Sequence, residues 1–165
     1  MLNLYWNLIS FSIGFKLKEE LKILNNYLKT NKLKSTKQRE TILACFLKNK
    51  QHLTYKELYK LIKKKFPEIG DITVFRALKL FVKAGIAKKI SFRDNKFRYE
   101  KIVNIMHHDH LECISCGKII EIYNKNLESI QNKLCNDNLF DPTEHKLIIY
   151  GVCSECKTKE SNKWN

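Results

Sequence analysis

Four cysteines fall in two pairs, Cys113-Ile114-Ser115-Cys116-Gly117 and Cys153-Ser154-Glu155-Cys156. Two residues between the cysteines let both thiolates of a pair reach one ion from a tight turn, and Gly117 suits the backbone such a turn needs. Four thiolates close a tetrahedral shell around Zn2+ and leave no open position, so the chemistry is structural rather than catalytic. A redox dithiol accounts for one such pair but poorly for two together. The 36 residues between Cys116 and Cys153 exceed a simple zinc ribbon and must contain folded structure, here a strand, a helix and another strand. Cys45 and Cys135 stand alone and read as buried hydrophobes.

Just before the first pair stands His107-His108-Asp109-His110. In an extended strand alternate side chains face opposite sides. His107 and Asp109 then point one way, His108 and His110 the other, so one short strand can serve two different metal sites. The chain has 5 histidines in all. The remaining two are His52, at the start of a helix in the first half, and His145, shortly before the second cysteine pair. A metal shared by His52 with His108 and His110 would bridge the two halves and couple its occupancy to their relative angle.

The elements that must position these groups differ between the halves. The formal net charge is +14, and it is uneven. Lys16 to Lys101 carries 24 basic and 8 acidic residues, whereas Ile102 to Asn165 carries 7 basic and 9 acidic. A lysine-rich composition raises the total but not the asymmetry, which points the first half at a polyanion. An apolar fraction of 44% suffices for a packed core, and 165 residues fit one domain or two small ones. No apolar run is long enough for a transmembrane helix, so no membrane role is expected. Met1 to Phe15 is apolar and uncharged, without the basic n-region or small-residue cleavage site of a signal peptide, and reads as an extension packed on the domain or as a miscalled start codon. Six cysteines without a secretion signal indicate a reducing, cytoplasmic setting.

Leu17, Leu21, Leu24 and Leu28 repeat at helical spacing, which predicts a helix over Lys16 to Thr30. A second helix starts near Thr36 and carries Ile42, Leu43, Phe46 and Leu47. A third starts at Thr54, where Glu57 completes a capping box and Leu53 and Leu58 form a hydrophobic staple. Asp71 is placed to cap a fourth helix ending near Ala84, with Gly85 as its left-handed stop. Its inner face is expected from Ile72, Val74 or Phe75, Leu78, and Phe81 or Val82. Two alternating runs follow, Ala87 to Phe92 and Lys96 to Glu100, with Asp94-Asn95 as the turn between them. Helices followed by a basic hairpin describe a winged helix-turn-helix, whose fourth helix enters the major groove of double-stranded DNA. Thr73, Arg76 and Lys79 project from its outer face, and Arg93, Lys96 and Arg98 arm the wing against phosphates.

Taken together, "STKQRETIL", "HLTYKELY", "ITVFRAL", "RYE", "HHDHLECISCGKIIE" and "YGVCSEC" resemble the ferric uptake regulator family of metal-dependent repressors. The resemblance covers Lys16 to about Lys157. It implies an α+β chain: residues 1–15 as the extension, 16–101 as a winged-helix DNA-binding domain, and 102–165 as a small α/β dimerisation and metal-binding domain. It implies structural zinc on Cys113, Cys116, Cys153 and Cys156. It implies a regulatory site on His52, Glu100, His108, His110 and Glu121, and an additional site on His107, Asp109, Glu128 and His145.

Relatives usually carry tyrosine where this chain has Phe75, a ring that still contacts a thymine methyl. One more residue separates Glu100 from His108 than in relatives. The peroxide-sensing branch resembles this chain but tends to have aspartate at the positions of Glu100 and Glu121, and the zinc-sensing branch brings a cysteine into the regulatory site. The resemblance therefore implies a homodimeric, non-enzymatic repressor that senses Fe2+, with Mn2+ or Zn2+ as substitutes, at a palindromic AT-rich operator. The alternative is a peroxide-sensing or zinc/manganese-sensing regulator of the same family. A metal-dependent enzyme is disfavoured, because hydrolytic sites keep a coordination position open and five protein ligands leave little room.

Overall fold

The computed structural model describes residues 16–49, 52–93, 96–103 and 107–161. The extension over Met1 to Phe15 and the Asp94-Asn95 turn lie outside the described residues. Contacts divide the chain into two units, meeting between Ile105 and Met106.

The first unit opens with α1 (Lys16–Thr30), α2 (Lys37–Lys48), α3 (Tyr55–Lys63) and α4 (Asp71–Lys83), followed by the antiparallel hairpin of β1 (Ala87–Ser91) and β2 (Phe97–Lys101). The leucine spacing of α1 buries Leu17, Leu24 and Leu28. Thr36 caps α2 by accepting from the Arg39 N–H. At α3 the capping box is complete: Thr54 Oγ1 accepts from the Glu57 N–H at 3.2 Å, and Glu57 Oε2 accepts from the Thr54 N–H at 2.8 Å. Leu53 and Leu58, which flank the cap, are both buried. Gly85 stops α4 with φ of 69°, a left-handed backbone that a side chain would strain.

The start of α4 departs from expectation. Gly70, not Asp71, is the N-cap, and its carbonyl accepts from the Val74 N–H at 3.3 Å. Asp71 is the first helical residue, with Oδ1 accepting from the Ile72 N–H at 2.7 Å. Its carboxylate still lies at the positive end of the helix dipole. The buried face is Val74, Ala77, Leu78 and Phe81, while Ile72 is 60% exposed. Apolar residues at 72, 74 and 75 are compatible with two helix phases, and packing on α2 and α3 selects the one that turns Ile72 outward.

Between α2 and α3, Leu53 pairs with Tyr99 of β2 in an isolated antiparallel bridge, with N···O distances of 3.2 and 2.8 Å. This bridge ties the wing to the helices. All clustered core residues lie in this unit, between Leu17 and Val103.

The second unit holds β3 (Asp109–Cys113), β4 (Ile119–Ile122), α5 (Lys125–Asp137), β5 (Ile148–Gly151) and α6 (Ser154–Ser161). Strand order is β4-β3-β5, with β3 antiparallel to β4 and parallel to β5. The crossover from β4 to β5 contains α5, capped by Asn124, whose side chain accepts from the N–H groups of Asn126 and Leu127. No residue of α5 is fully buried.

Candidate metal centres and nucleic-acid interface

The parallel register of β3 and β5 sets Cys113 beside Gly151. The turn after β3 and the end of β5 therefore emerge together, and both cysteine pairs leave the sheet at one edge. Gly117 takes φ of 72° and donates its N–H to the Cys113 carbonyl at 2.8 Å, folding the first pair into its turn. Cys156 closes the second pair from the first turn of α6. The four Sγ atoms lie within 4.8 Å of one another. Cys116 and Cys153 Sγ are 3.8 Å apart. A disulfide needs about 2 Å. A tetrahedron with Zn–S bonds of about 2.3 Å has an edge of about 3.8 Å, so this spacing fits a zinc shell.

Electrostatics agree with a cation here. The Cys113 thiol is held down to about 6, first by the Cys153 N–H, which donates to its Sγ at 3.3 Å, and then by the N–H of Cys116. Cys156 is pushed up to about 12: the Ser115 hydroxyl favours its thiolate, but sharing hydrogen bonds with Cys153, Cys116 and Cys113 outweighs that. Four thiols this close resist joint ionisation, and a divalent ion removes the conflict. Lys118 and Glu155, 2.5 Å apart, link the two cysteine segments at the surface.

A second cluster gathers His107, Asp109, Glu128 and His145, with one ligand atom of each within 4.8 Å of the others. His107 Nε2 is 3.3 Å from Asp109 Oδ1 and 3.5 Å from Glu128 Oε1, and His145 Nε2 is 3.7 Å from the same Glu128 oxygen. The two imidazoles tilt against each other at 4.1 Å between centroids. Asp109 comes from β3, Glu128 from the first turn of α5, and His145 from the segment before β5. Asp109 Oδ1, Glu128 Oε1 and His145 Nε2 are shielded from water and have no hydrogen-bond partner. Each such orphan costs about 1–3 kcal/mol. Two imidazoles and two carboxylates converging on one point suit a divalent cation of the Mn, Fe, Co or Zn series.

The remaining ligand candidates are found in both units. In the first, the Leu53–Tyr99 bridge sets His52 beside Glu100, and His52 Nε2 lies 2.6 Å from Glu100 Oε2. Phe92 stands edge-on to the His52 ring at 6.0 Å. In the second unit, the His108 and His110 rings are 5.0 Å apart. His110 is directly opposite Glu121 in the β3–β4 register, so both side chains leave the same face of the sheet. That face is opposite the one carrying Asp109, as strand alternation requires.

The first unit also carries a groove of about 850 Å3 between α3, α4 and the wing, lined by Phe75, Lys79, Lys83, Lys89, Lys96 and Arg98 among others. The Phe75 ring meets Tyr55 edge-on at 5.3 Å and carries Lys79 Nζ over its face at 4.6 Å. Lys89 Nζ sits 3.4 Å over Phe97, and the Arg98 guanidinium 5.2 Å over Phe92. Aromatic faces thus hold the cations in place. Thr73, Arg76 and Arg93 do not line the groove; Arg76 and Arg93 are exposed. Lys83 and Lys89 escaped sequence reasoning, because single lysines in a lysine-rich chain carry no motif and only the fold gathers them.

A winged-helix unit, a thiolate shell and a His/carboxylate cluster in one chain define a metal-binding transcriptional regulator. Residues 30–150 match the Ferric uptake regulator family. The ferric uptake regulation protein of Neisseria gonorrhoeae is 37% identical over 133 residues, covering 80% of this chain and 92% of the relative. The peroxide operon regulator of Bacillus subtilis is 32% identical over 143 residues, covering 87% and 97%. The structure of the Helicobacter pylori ferric uptake regulator, described as having three functional metal binding sites, superposes with a TM-score of 0.79 at 29% identity, covering 86% of this chain and 93% of that one. The chain belongs to the ferric uptake regulator family. It is a metal-sensing transcriptional repressor, of a family whose members bind DNA operators and form dimers. Among the described residues no helix is long and apolar enough to cross a membrane.

Proposed function

We propose that this protein is a dimeric, Fe2+-responsive repressor of metal-uptake genes, with Mn2+ or Zn2+ as substitute effectors. The observation that carries the reading is the pairing of His52 with Glu100 at 2.6 Å inside the DNA-binding unit. A histidine and a carboxylate prepaired at the base of the wing supply two ligands of a metal site, and His108, His110 and Glu121 share one face of the second unit's sheet. Bound together by these five residues, a divalent ion supplies a cross-link whose occupancy sets the angle between the units. Phe75, Lys79 and Lys96 in the groove, with Thr73, Arg76 and Arg93, then meet the operator at a fixed spacing in the dimer. A two-fold dimer reads a palindrome, and the apolar Phe75 ring suits the thymine methyls of an AT-rich site. The cysteine shell holds the fold, and the His107 cluster is a further metal site, in line with the three sites described for the Helicobacter pylori protein.

Glutamates at 100 and 121, rather than aspartates, favour iron over peroxide sensing. The similarity to the Bacillus subtilis peroxide operon regulator keeps one second reading in play: oxidation of a histidine ligand by peroxide at bound Fe2+. The test is operator binding titrated separately with Fe2+, Mn2+ and Zn2+ while the cysteine zinc stays in place. The His108→Ala and His110→Ala proteins should lose the metal dependence. Unchanged dependence in both sinks the bridging site. Added oxygen on His52 or His108 after peroxide treatment, read by mass spectrometry, transfers the assignment to peroxide sensing.

A further inference from the structure

We infer that Gln131 is a fifth ligand of the His107–Asp109–Glu128–His145 site, contributing its side-chain amide oxygen. The inference rests on reading that cluster as a metal site. Among the described residues the second unit has four shielded acceptors with no hydrogen-bond partner: Asp109 Oδ1, Glu128 Oε1, His145 Nε2 and Gln131 Oε1. Three of them are the cluster's own inward atoms. The fourth stands one helical turn beyond Glu128 on α5.

Residues three apart on a helix share a face, with about 5–6 Å between their Cβ atoms. The burial pattern of α5 fixes which face that is. Leu127, Glu128, Gln131 and Cys135 are its part-buried residues, and all others of the helix are exposed. Gln131 therefore lies on the face that brings Glu128 to the cluster. An amide carbonyl on that face without a donor is costly, for the same reason as its three neighbours, and one cation satisfies all four.

Charge explains why the position suits glutamine. Asp109 and Glu128 already neutralise a divalent ion between two neutral imidazoles. A third carboxylate would leave the buried site with an excess negative charge, whereas an amide oxygen adds a hard donor at no charge. Gln131 then raises the coordination number to five and favours ions that accept oxygen ligands beyond a tetrahedral shell.

The test uses the full-length protein with its cysteine zinc, in a His108→Ala/His110→Ala background, so that the His107 cluster takes up the added Co2+. Gln131→Ala should weaken Co2+ binding about tenfold or more and change its visible d–d spectrum. Gln131→Glu keeps an oxygen donor and should still bind Co2+, with a shifted d–d spectrum that a merely space-filling glutamine does not explain. Alanine binding within twofold of the parent, with the same spectrum, overturns the ligand role while leaving the site standing. Co2+ uptake untouched by Asp109→Ala and His145→Ala removes the site itself, and the role of Gln131 with it.

Discussion

The two units are stabilised by different physics. The first buries an apolar cluster running from Leu17 to Tyr99, with Leu24, Leu58, Leu78 and Phe81 fully enclosed. Among the described residues of the second, the only buried apolar side chain is Cys113, and the other buried groups are Asp109, His110 and Glu112. Many of its large hydrophobics instead face outward: Ile130, Leu134, Leu139 and Phe140 on and after α5, Ile120, Ile149 and Tyr150 on the sheet, and Tyr123 just after β4. A unit of this size without a core needs a metal, a partner or both. Members of the family dimerise, so a second copy of the chain is the occupant to test for this exposed apolar surface.

The largest expected effect breaks this contrast at the cysteines. Structural zinc contributes about 10–16 kcal/mol in small zinc domains, comparable to or larger than the whole stability of a typical domain. Chelation, or Cys113→Ser, should therefore unfold the second unit and abolish dimerisation, while the helical signal of the first unit persists. Circular dichroism and size-exclusion chromatography with zinc analysis check this. A stable, metal-responsive Cys113→Ser dimer overturns the assignment of those thiolates as the fold's staple.

The opposite break is made in the first unit. Phe81 is fully buried and stacks on Phe46 at 6.3 Å between ring centroids. Phe81→Ala should cost about 3–5 kcal/mol of the first unit's stability and leave the zinc content unchanged. Loss of zinc along with the fold shows instead that the units do not stand on separate supports.

The next effect sharpens the comparison at the surface. Leu134 is 63% exposed and Phe140 is 64% exposed. If a second copy covers them, truncating either to alanine should weaken the dimer by about 2 kcal/mol, the scale of an interface hot spot, without altering zinc content. Analytical ultracentrifugation across a concentration series reads the shift. Dimerisation unchanged in both variants moves the interface elsewhere.

The same contrast explains what was legible in the sequence. Local rules sufficed where neighbours in sequence decide the outcome: the Thr54–Glu57 box, the Gly85 stop, the leucine spacing of α1 and the turn geometry of the cysteine pairs. The HHDH alternation is legible because strand period fixes it, and the structure gathers His107 and Asp109 with Glu128 and His145 on one side. Sequence reading failed where tertiary contacts choose among local options. Ile72 fitted an inner face until packing selected Val74. Cys45 and Cys135 read as buried hydrophobes, yet each is only half-buried in the single chain. Gln131 carries no charge and no motif, and only its stranded oxygen marks it.

The smallest effect tests whether the first unit's local signals carry energy of their own. Thr54→Ala removes the acceptor for the Glu57 N–H and should cost about 1 kcal/mol, whereas Thr54→Ser should retain most of it. Urea unfolding should show a lower midpoint with an unchanged slope, because the cap adds no buried surface. Thr54 is also two residues from His52, across the Leu53 that bridges to Tyr99 beside Glu100. A frayed α3 start loosens that pair, so the alanine variant should need more metal for half-maximal operator binding. Stability and metal response falling together tie the proposed metal role of His52 to the helix start. A stability loss with unaltered metal response shows that the Leu53–Tyr99 bridge alone holds His52 in register.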